Sequence, residues 1–133
     1  MAALRLCFDT DVLIELLRGT PSVLARFDAL PDDALLFTTH VTAYEMLRGA
    51  VFSGSAEERQ RVSHFLSRFL LLQHTMQSDL LAAEWWAALR RKGTPVPDAD
   101  IIIAAIARCG MATVVTQNQK HFSRMEGLNV EYW

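Results

Sequence analysis

Short apolar runs alternate along the chain with longer runs in which apolar residues recur every three or four positions. The short runs predict strands at residues 4–8, 35–39, 70–72, 113–116 and 128–132, of which the first is predicted to be buried. The longer runs predict helices at residues 12–17, 21–30, 42–49, 56–69, 79–92, 98–109 and 118–124. This alternation indicates an α/β fold, with a mostly parallel central sheet of four to five strands flanked by helices. With 133 residues, we expect a single domain over residues 1–133.

Acidic and amide side chains follow the predicted strands, at or near the starts of helices. Asp9 ends the first strand, Glu45 lies in the first turn of the helix after the second strand, and Asn118 opens the helix after the fourth. Asp98 and Asp100 open a helix that is apolar nearly all round and is therefore predicted to be buried. Because the carboxyl ends of parallel strands meet along one edge, where ligands bind in open α/β sheets, we expect these side chains to converge. Asp and Glu oxygens grouped in this way suit Mg²⁺ or Mn²⁺.

Each of these residues also has a purely structural explanation at a helix N-terminus. Residues 42–45 fit a capping box, in which a threonine and a glutamate satisfy two backbone donors. Asp98 and Asn118 are well placed as N-caps, and the helix dipole favours Asp100 in a first turn. Asp9 is hardest to explain in this way, because an unpaired carboxylate after a five-residue apolar strand costs free energy. The joint placement of the residues, rather than any one of them, indicates a site.

The composition is that of a globular protein, with 51% hydrophobic and 21% charged residues, and it argues against a disordered chain. The net charge of −2 does not by itself indicate a nucleic-acid-binding protein. Asp9, Asp11, Glu45, Asp98 and Asp100 are expected to lie together, however, and without these five acids the rest of the chain carries a net charge of +3. Since cations in such an acidic pocket would cancel most of the local repulsion, the charge is compatible with a polyanionic substrate.

The sequence also predicts a cytoplasmic location. The first residues lack a basic and then apolar signal region, and the longest apolar run, residues 101–107, is far shorter than the about 20 residues that span a bilayer. Cys7 and Cys109 lie in apolar contexts without metal-binding spacing, and we expect buried free thiols. The histidines show no paired spacing and are predicted to be surface or cap residues; they are His40, His64, His74 and His121.

Four blocks of sequence stand out in order along essentially the whole chain. Residues 9–14 read DTDVLI, residues 45–49 read EMLRG and residues 100–107 read DIIIAAIA. The fourth block is TQNQKHF at residues 116–122, followed by GLNV at residues 127–130. In this order the blocks resemble the DTNVLI, ELxxG and DxxIAA motifs and the closing segments of PIN-domain ribonucleases, in particular the VapC toxins of bacterial toxin–antitoxin pairs. Each block is loose alone, and the set is specific.

The resemblance implies a Mg²⁺- or Mn²⁺-dependent endoribonuclease, inhibited by a protein antitoxin that docks at or near the acidic site. The family's metal ligands correspond to Asp9 and Asp100, and its catalytic acid, which approaches the metal directly or through water, corresponds to Glu45. A fourth catalytic position of the family, often aspartate, is Asn118 here, and Asp11 replaces the family's usual asparagine. With these two differences, the resemblance leaves the number of metal ions, one or two, open. We expect single-stranded or looped RNA as substrate and a homodimer as the assembly. Further candidates for orienting ligands or phosphate are Thr39, Arg48 and Thr116.

Two other classes of function remain open from the residues. In a haloacid-dehalogenase-type phosphatase, Asp9 would be the nucleophile and Asp11 the general acid. Against this, Leu13 stands where Thr or Val is expected, and no convincing strand-end lysine lies between residues 39 and 98. In a non-catalytic binding module, the acids would serve only as helix caps.

Overall fold

The computed structural model describes residues 2–133, which contain a single five-stranded parallel sheet. The strands are β1 (Arg5–Phe8), β2 (Leu35–Thr38), β3 (Leu70–Leu71), β4 (Thr113–Thr116) and β5 (Val130–Tyr132). Their order across the sheet is β3-β2-β1-β4-β5, and every neighbouring pair is parallel. The predicted α/β class is confirmed, and the sheet is wholly rather than mostly parallel.

Helices connect the strands and cover both faces of the sheet. They are α1 (Thr10–Arg18), α2 (Pro21–Asp28), α3 (His40–Phe52), α4 (Ala56–Leu66), α5 (Met76–Arg91), α6 (Asp98–Cys109) and α7 (Gln119–Phe122). Helix α6 has the predicted bounds. Helix α4 ends three residues before the predicted position, because the chain turns there to enter β3.

Helix α3 begins earlier and ends later than predicted. Its N-cap is Thr39, whose hydroxyl oxygen accepts a hydrogen bond from the backbone N–H of Thr42 at 3.2 Å. The capping box predicted at residues 42–45 is therefore wrong, and Glu45 lies in the second turn rather than the first. The helix also continues through Gly49 to its end, since an isolated glycine weakens a helix without necessarily ending it.

The starts of α5 and α6 also differ from the predicted capping. The Thr75 side chain caps α5 in a capping box with Ser78, so this helix begins three residues before the predicted position. The N-cap of α6 is Pro97, and no side chain caps this end. The N-cap role predicted for Asp98 is therefore wrong, because Asp98 is the first helical residue and is exposed.

The sheet separates two apolar cores, because successive side chains of a strand point to opposite faces. In β1, Cys7 packs in the core beneath α5 and α6, whereas Leu6 and Phe8 pack in the core with residues of α1 to α4. Cys7 is fully buried as predicted, but Cys109 is only half-buried at the end of α6. Within the described part of the chain, no helix combines the length and the apolar character needed to cross a membrane.

The direction of the strand order changes between β1 and β4. The chain passes from β1 outward to β2 and β3, and then returns to place β4 on the other side of β1. The connections that leave the carboxyl ends of β1 and β4 therefore diverge, which opens a crevice at this edge. Phe8 is paired with Val115, and the backbone N–H of Asp9 donates to the Val115 carbonyl at 2.9 Å. Asp9 and Thr116 consequently meet at the crevice.

Replacing Phe8 by alanine should lower the free energy of unfolding by about 3–5 kcal/mol. Phe8 is fully buried, and its ring centroid lies 5.9, 5.6 and 5.5 Å from those of Phe27, Phe69 and Trp133. Urea unfolding followed by circular dichroism measures the loss. Phe52→Ala is the matched control, because Phe52 is 93% exposed, and it should change the stability by less than about 0.5 kcal/mol. Equal losses in the two variants would contradict this packing.

Candidate active site

Asp9 lies at the end of β1 and is the N-cap of α1, with only 5% of its surface exposed. Its Oδ1 accepts a hydrogen bond from the backbone N–H of Thr10 at 2.8 Å. Its Oδ2 accepts one from the hydroxyl of Thr116 at 2.8 Å, across the crevice between β1 and β4. Each carboxylate oxygen of Asp9 therefore accepts a hydrogen bond, and these bonds offset part of the free-energy cost of burying it.

The pKa of Asp9 is raised from 3.8 to about 7. Burial is the largest cause, the negative charge of Asp11 is the next, and the charge of Asp100 adds to them, whereas the hydrogen bonds from Thr116 and Thr10 lower the pKa. The pKa of Asp11 is raised as well, first by burial and also by Asp100. Three carboxylates therefore lie close together at this edge, where Asp100 disfavours the charged forms of Asp9 and Asp11.

Asp11 ties the first turn of α1 to the segment that follows β4. Its Oδ1 accepts from the backbone N–H of Val12 at 2.7 Å, and its Oδ2 accepts from that of Gln117 at 3.1 Å. The Thr116 oxygen lies 3.3–3.4 Å from both Asp11 carboxylate oxygens, but it is closer to Asp9, to which its single hydrogen is donated. Backbone donors thus fix both oxygens of Asp11.

Glu45 reaches the site from α3 through a shared threonine. The hydroxyl of Thr10 donates to Glu45 Oε1 at 2.7 Å, and its oxygen lies 3.1 Å from the hydroxyl oxygen of Thr42. Since the backbone N–H of Thr10 donates to Asp9, this residue connects the two carboxylates. The Glu45 side chain is 25% exposed, and Arg48 Nη2 lies 3.7 Å from its Oε2, so Glu45 is held in place and still accessible to solvent.

Asp100 lies in the first turn of α6 and contacts a histidine that was not expected to belong to the site. Its Oδ2 is 2.7 Å from Nδ1 of His121 in α7, and both side chains are largely shielded from solvent. The prediction that His121 is simply a surface or cap residue is wrong, because an isolated histidine shows no ligand spacing. Its position three residues after Asn118, one helical turn into the segment following β4, was the available signal.

Asn118 caps the short helix α7, as the structural explanation of this residue predicts. Its Oδ1 accepts from the backbone N–H of His121 at 3.2 Å, and its Nδ2 lies 2.9 Å from His121 Nδ1. Its backbone N–H donates to the hydroxyl oxygen of Thr116 at 3.0 Å. Asn118 therefore lies at the same edge as the acids, in contact with groups that hold them.

Asp98 is not part of this group, although it was expected to converge with the other acids. It borders a groove between α5 and α6 whose lining includes Trp86 and Ile102. Residues two positions apart in a helix do not share a face, so Asp98 and Asp100 cannot both face the crevice.

The carboxylates form an open group rather than a closed cage. Across residues 2–133, no three His, Cys, Asp or Glu side chains are gathered tightly enough to constitute a complete metal site. This donor set nevertheless fits a hard divalent cation, because Mg²⁺ keeps several waters and needs only one or two protein carboxylates. A cation here would offset the mutual repulsion of Asp9, Asp11 and Asp100.

Known proteins are similar to this chain over nearly its full length. The PIN domain family model matches residues 6–128. Ribonuclease VapC1 of Haemophilus influenzae (strain R2866) is 30% identical over 128 residues, which cover 94% of this chain and 95% of that protein. The tRNA(fMet)-specific endonuclease VapC of Salmonella typhimurium is 30% identical over 132 residues, which cover 98% of each chain.

Solved structures with a similar fold belong to the same group of proteins as the sequence relatives. VapBC-1 from nontypeable Haemophilus influenzae superposes with a TM-score of 0.84 at 26% identity, covering 96% of this chain and 97% of that one. A toxin–antitoxin complex from Klebsiella pneumoniae superposes with a TM-score of 0.69 at 27% identity, covering 98% of this chain and 96% of that one. Since the family model matches most of the chain and relatives with 30% identity align along nearly all of it, the chain belongs to the PIN-domain family.

Proposed function

We propose that this protein is a Mg²⁺- or Mn²⁺-dependent endoribonuclease that hydrolyses RNA phosphodiester bonds as the toxin of a toxin–antitoxin pair. The observation that carries the proposal is the buried carboxylate of Asp9, whose pKa is raised to about 7 by burial and by the neighbouring Asp11 and Asp100. PIN-family membership and the ribonuclease and endonuclease names of the relatives support RNA as the substrate.

In this proposal, the carboxylates bind the cation and one of them also accepts the proton. Asp9 and Asp100 would hold one or two divalent ions, with Glu45 as a further ligand, either directly or through water. When bound, such an ion would supply a lowered water pKa and stabilisation of the negative charge that develops on the scissile phosphate. Glu45 accepts the proton of the attacking water, since the Thr10 hydroxyl fixes one of its oxygens and the side chain remains partly accessible. Asn118 supports the site as a neutral residue.

The substrate is proposed to be single-stranded or looped RNA. Unpaired strands and loops can splay out and so fit an open acidic edge. Arg48 is 59% exposed next to Glu45 and is placed to contact a phosphate. Because one relative is named a tRNA(fMet)-specific endonuclease, tRNA is the first substrate to assay.

A protein antitoxin is the proposed inhibitor, docking at or near the acidic edge. The toxin–antitoxin complex among the structural neighbours supports a partner of this class. A small DNA-binding protein encoded immediately upstream of this chain's gene would be the natural candidate. The homodimer and the cytoplasmic location remain predictions.

The phosphatase alternative is less consistent with the site. It requires Asp11 to act as a general acid towards the substrate, yet both of its oxygens accept hydrogen bonds from backbone N–H groups, of Val12 and Gln117. Membership of the PIN family also favours the nuclease. The fixed position of Asp11 suits a supporting role.

Glu45→Gln should reduce metal-dependent RNA cleavage by a factor of about 10²–10⁴, the usual contribution of a general base. The amide can still accept the hydrogen bond from Thr10, so the fold should be unchanged. Cleavage of total RNA and of purified tRNA is measured with Mg²⁺ and with EDTA. Glu84→Gln, at an exposed position on α5, is the control and should retain activity. Full activity in Glu45→Gln would refute the assigned role.

Asp9→Asn should stabilise the metal-free protein at pH 8. Because the pKa of Asp9 is about 7 in the folded protein and near 3.8 in the unfolded chain, ionisation destabilises the fold increasingly from pH 4 to pH 7. Removing the charge should therefore raise the free energy of unfolding at pH 8 by a few kcal/mol, at most about 4, with little gain at pH 4. Chemical denaturation in EDTA at both pH values measures this, and an equal gain at both would contradict it.

The same variant tests the cation site. At a Mg²⁺ or Mn²⁺ concentration 100-fold above its Kd, the wild-type protein should gain about 2.7 kcal/mol of stability, whereas Asp9→Asn should gain little. Asp98→Asn is the matched control, because Asp98 is exposed outside the acidic group, and it should respond like the wild type. A wild-type protein whose stability does not change with either ion would refute the metal dependence.

Asp11→Asn should retain RNA cleavage. An asparagine oxygen can still accept a hydrogen bond from the backbone of Val12 or Gln117, and the loss of one negative charge should lower the pKa of Asp9. Cleavage assays and a carbon NMR titration of the Asp9 carboxyl in EDTA measure the two effects. If the wild-type protein has phosphatase activity and Asp11→Asn loses both this activity and RNA cleavage, the result would instead support the alternative in which Asp11 is a general acid.

A further inference from the structure

We propose that His121 is a positioning residue, which holds the Asp100 carboxylate in the orientation that receives the divalent cation. The inference rests on the proposed function, because it assumes that Asp100 is a cation ligand. It adds a residue that the sequence motifs did not assign to the site, and it explains why Asn118 lies there without requiring it to touch the cation.

The hydrogen bond between the two side chains requires a hydrogen on Nδ1 of His121. Asp100 Oδ2 lies 2.7 Å from this nitrogen, and an ionised carboxylate can only accept hydrogen bonds. The amide Nδ2 of Asn118 also lies near the same nitrogen, at 2.9 Å, but a nitrogen that carries the hydrogen cannot accept a second one. The shorter contact to the carboxylate therefore determines the tautomer, with Nδ1–H donating to Asp100.

The position of the imidazole is set by the helix that carries it. Asn118 Oδ1 accepts the backbone N–H of His121, which fixes the first turn of α7. The next residue, Phe122, is fully buried in the core beneath α6, and this packing fixes the position of α7. The His121 ring is thus held against α6 before any ligand is present, and Asn118 acts on Asp100 through His121.

This contact prepares Asp100 for a cation. It uses only Oδ2, so Oδ1 is left for the ion, and it restricts the rotation of a carboxylate that Asp9 and Asp11 repel. A hydrogen bond that orients a ligand in advance reduces the entropy lost on binding, and removing such a partner typically weakens metal binding about 10- to 100-fold.

Three variants separate positioning from simple structural support. His121→Phe keeps a planar ring and removes the donor. His121→Asn restores an N–H group near the position of Nδ1, because the asparagine amide nitrogen and Nδ1 are both one bond from Cγ. His74→Phe is the matched control, since His74 also pairs with an aspartate, Asp79, but at an exposed position at the start of α5.

The main measurement is the Kd for Mn²⁺, determined by calorimetry on the RNA-free protein at constant pH. His121→Phe should weaken Mn²⁺ binding about 10- to 100-fold, whereas His121→Asn and His74→Phe should bind nearly as the wild type does. Circular dichroism and thermal unfolding in EDTA confirm that the variants are folded. At saturating Mn²⁺, RNA cleavage should recover in His121→Phe but not in Asp100→Asn, because the first variant retains the ligand and the second has lost it.

A second measurement does not depend on the cation. Nitrogen NMR of the imidazole in the metal-free protein should show that His121 carries its hydrogen on Nδ1, and that this signal changes in Asp100→Asn. A neutral ring with hydrogen only on Nε2 would overturn the proposal.

The remaining outcomes distinguish this proposal from the proposed function. If His121→Phe binds Mn²⁺ as tightly as the wild type, or if His121→Asn is as defective as His121→Phe, the positioning role is wrong and the cation site stands. If the wild-type protein does not bind Mn²⁺, the cation site itself is refuted, and the role of His121 is refuted with it.

Discussion

The hydrogen bond from the Thr116 hydroxyl to Asp9 is the contact on which the rest of the site depends. It joins β1 to β4 at the point where the strand order changes direction, and it partly offsets the free-energy cost of a carboxylate that is almost fully buried. The remaining cost appears as the raised pKa of Asp9. A buried carboxylate of this kind favours a nearby cation, because a positive charge offsets both the cost of burying the negative charge and the repulsion from the neighbouring acids.

Threonine hydroxyls organise the groups around that contact. Thr38 donates to the Phe8 carbonyl at 3.0 Å, Thr39 caps α3, and Thr10 connects Glu45 to the start of α1. In the described chain, every buried side-chain nitrogen and oxygen has a hydrogen-bond partner. The geometry of the acidic edge is therefore set by the protein itself, so the carboxylates would not need to rearrange before a cation binds.

Sequence patterns predicted the strands and α6 well, because each strand is a compact apolar run and α6 is apolar over nearly its whole length. The convergence of Asp9, Glu45 and Asp100 follows from parallel topology and was also predictable. The residues at which the helices start were less predictable, because neighbouring threonines can each serve as the N-cap and tertiary packing decides which of them does. The contact of His121 with Asp100 also depends on how α7 packs against α6, which the spacing of His121 from Asn118 does not by itself encode.

The site is assembled from the two ends of the chain, and this determines when it can exist during protein synthesis. Asp9 and Thr116 are 107 positions apart, and β4 is an inner strand of the sheet, between β1 and β5. Synthesis releases the N-terminal acids first, without the strand that holds them or the histidine that contacts Asp100. A chain whose β4 has not yet been synthesised therefore lacks the contact that assembles the acidic edge.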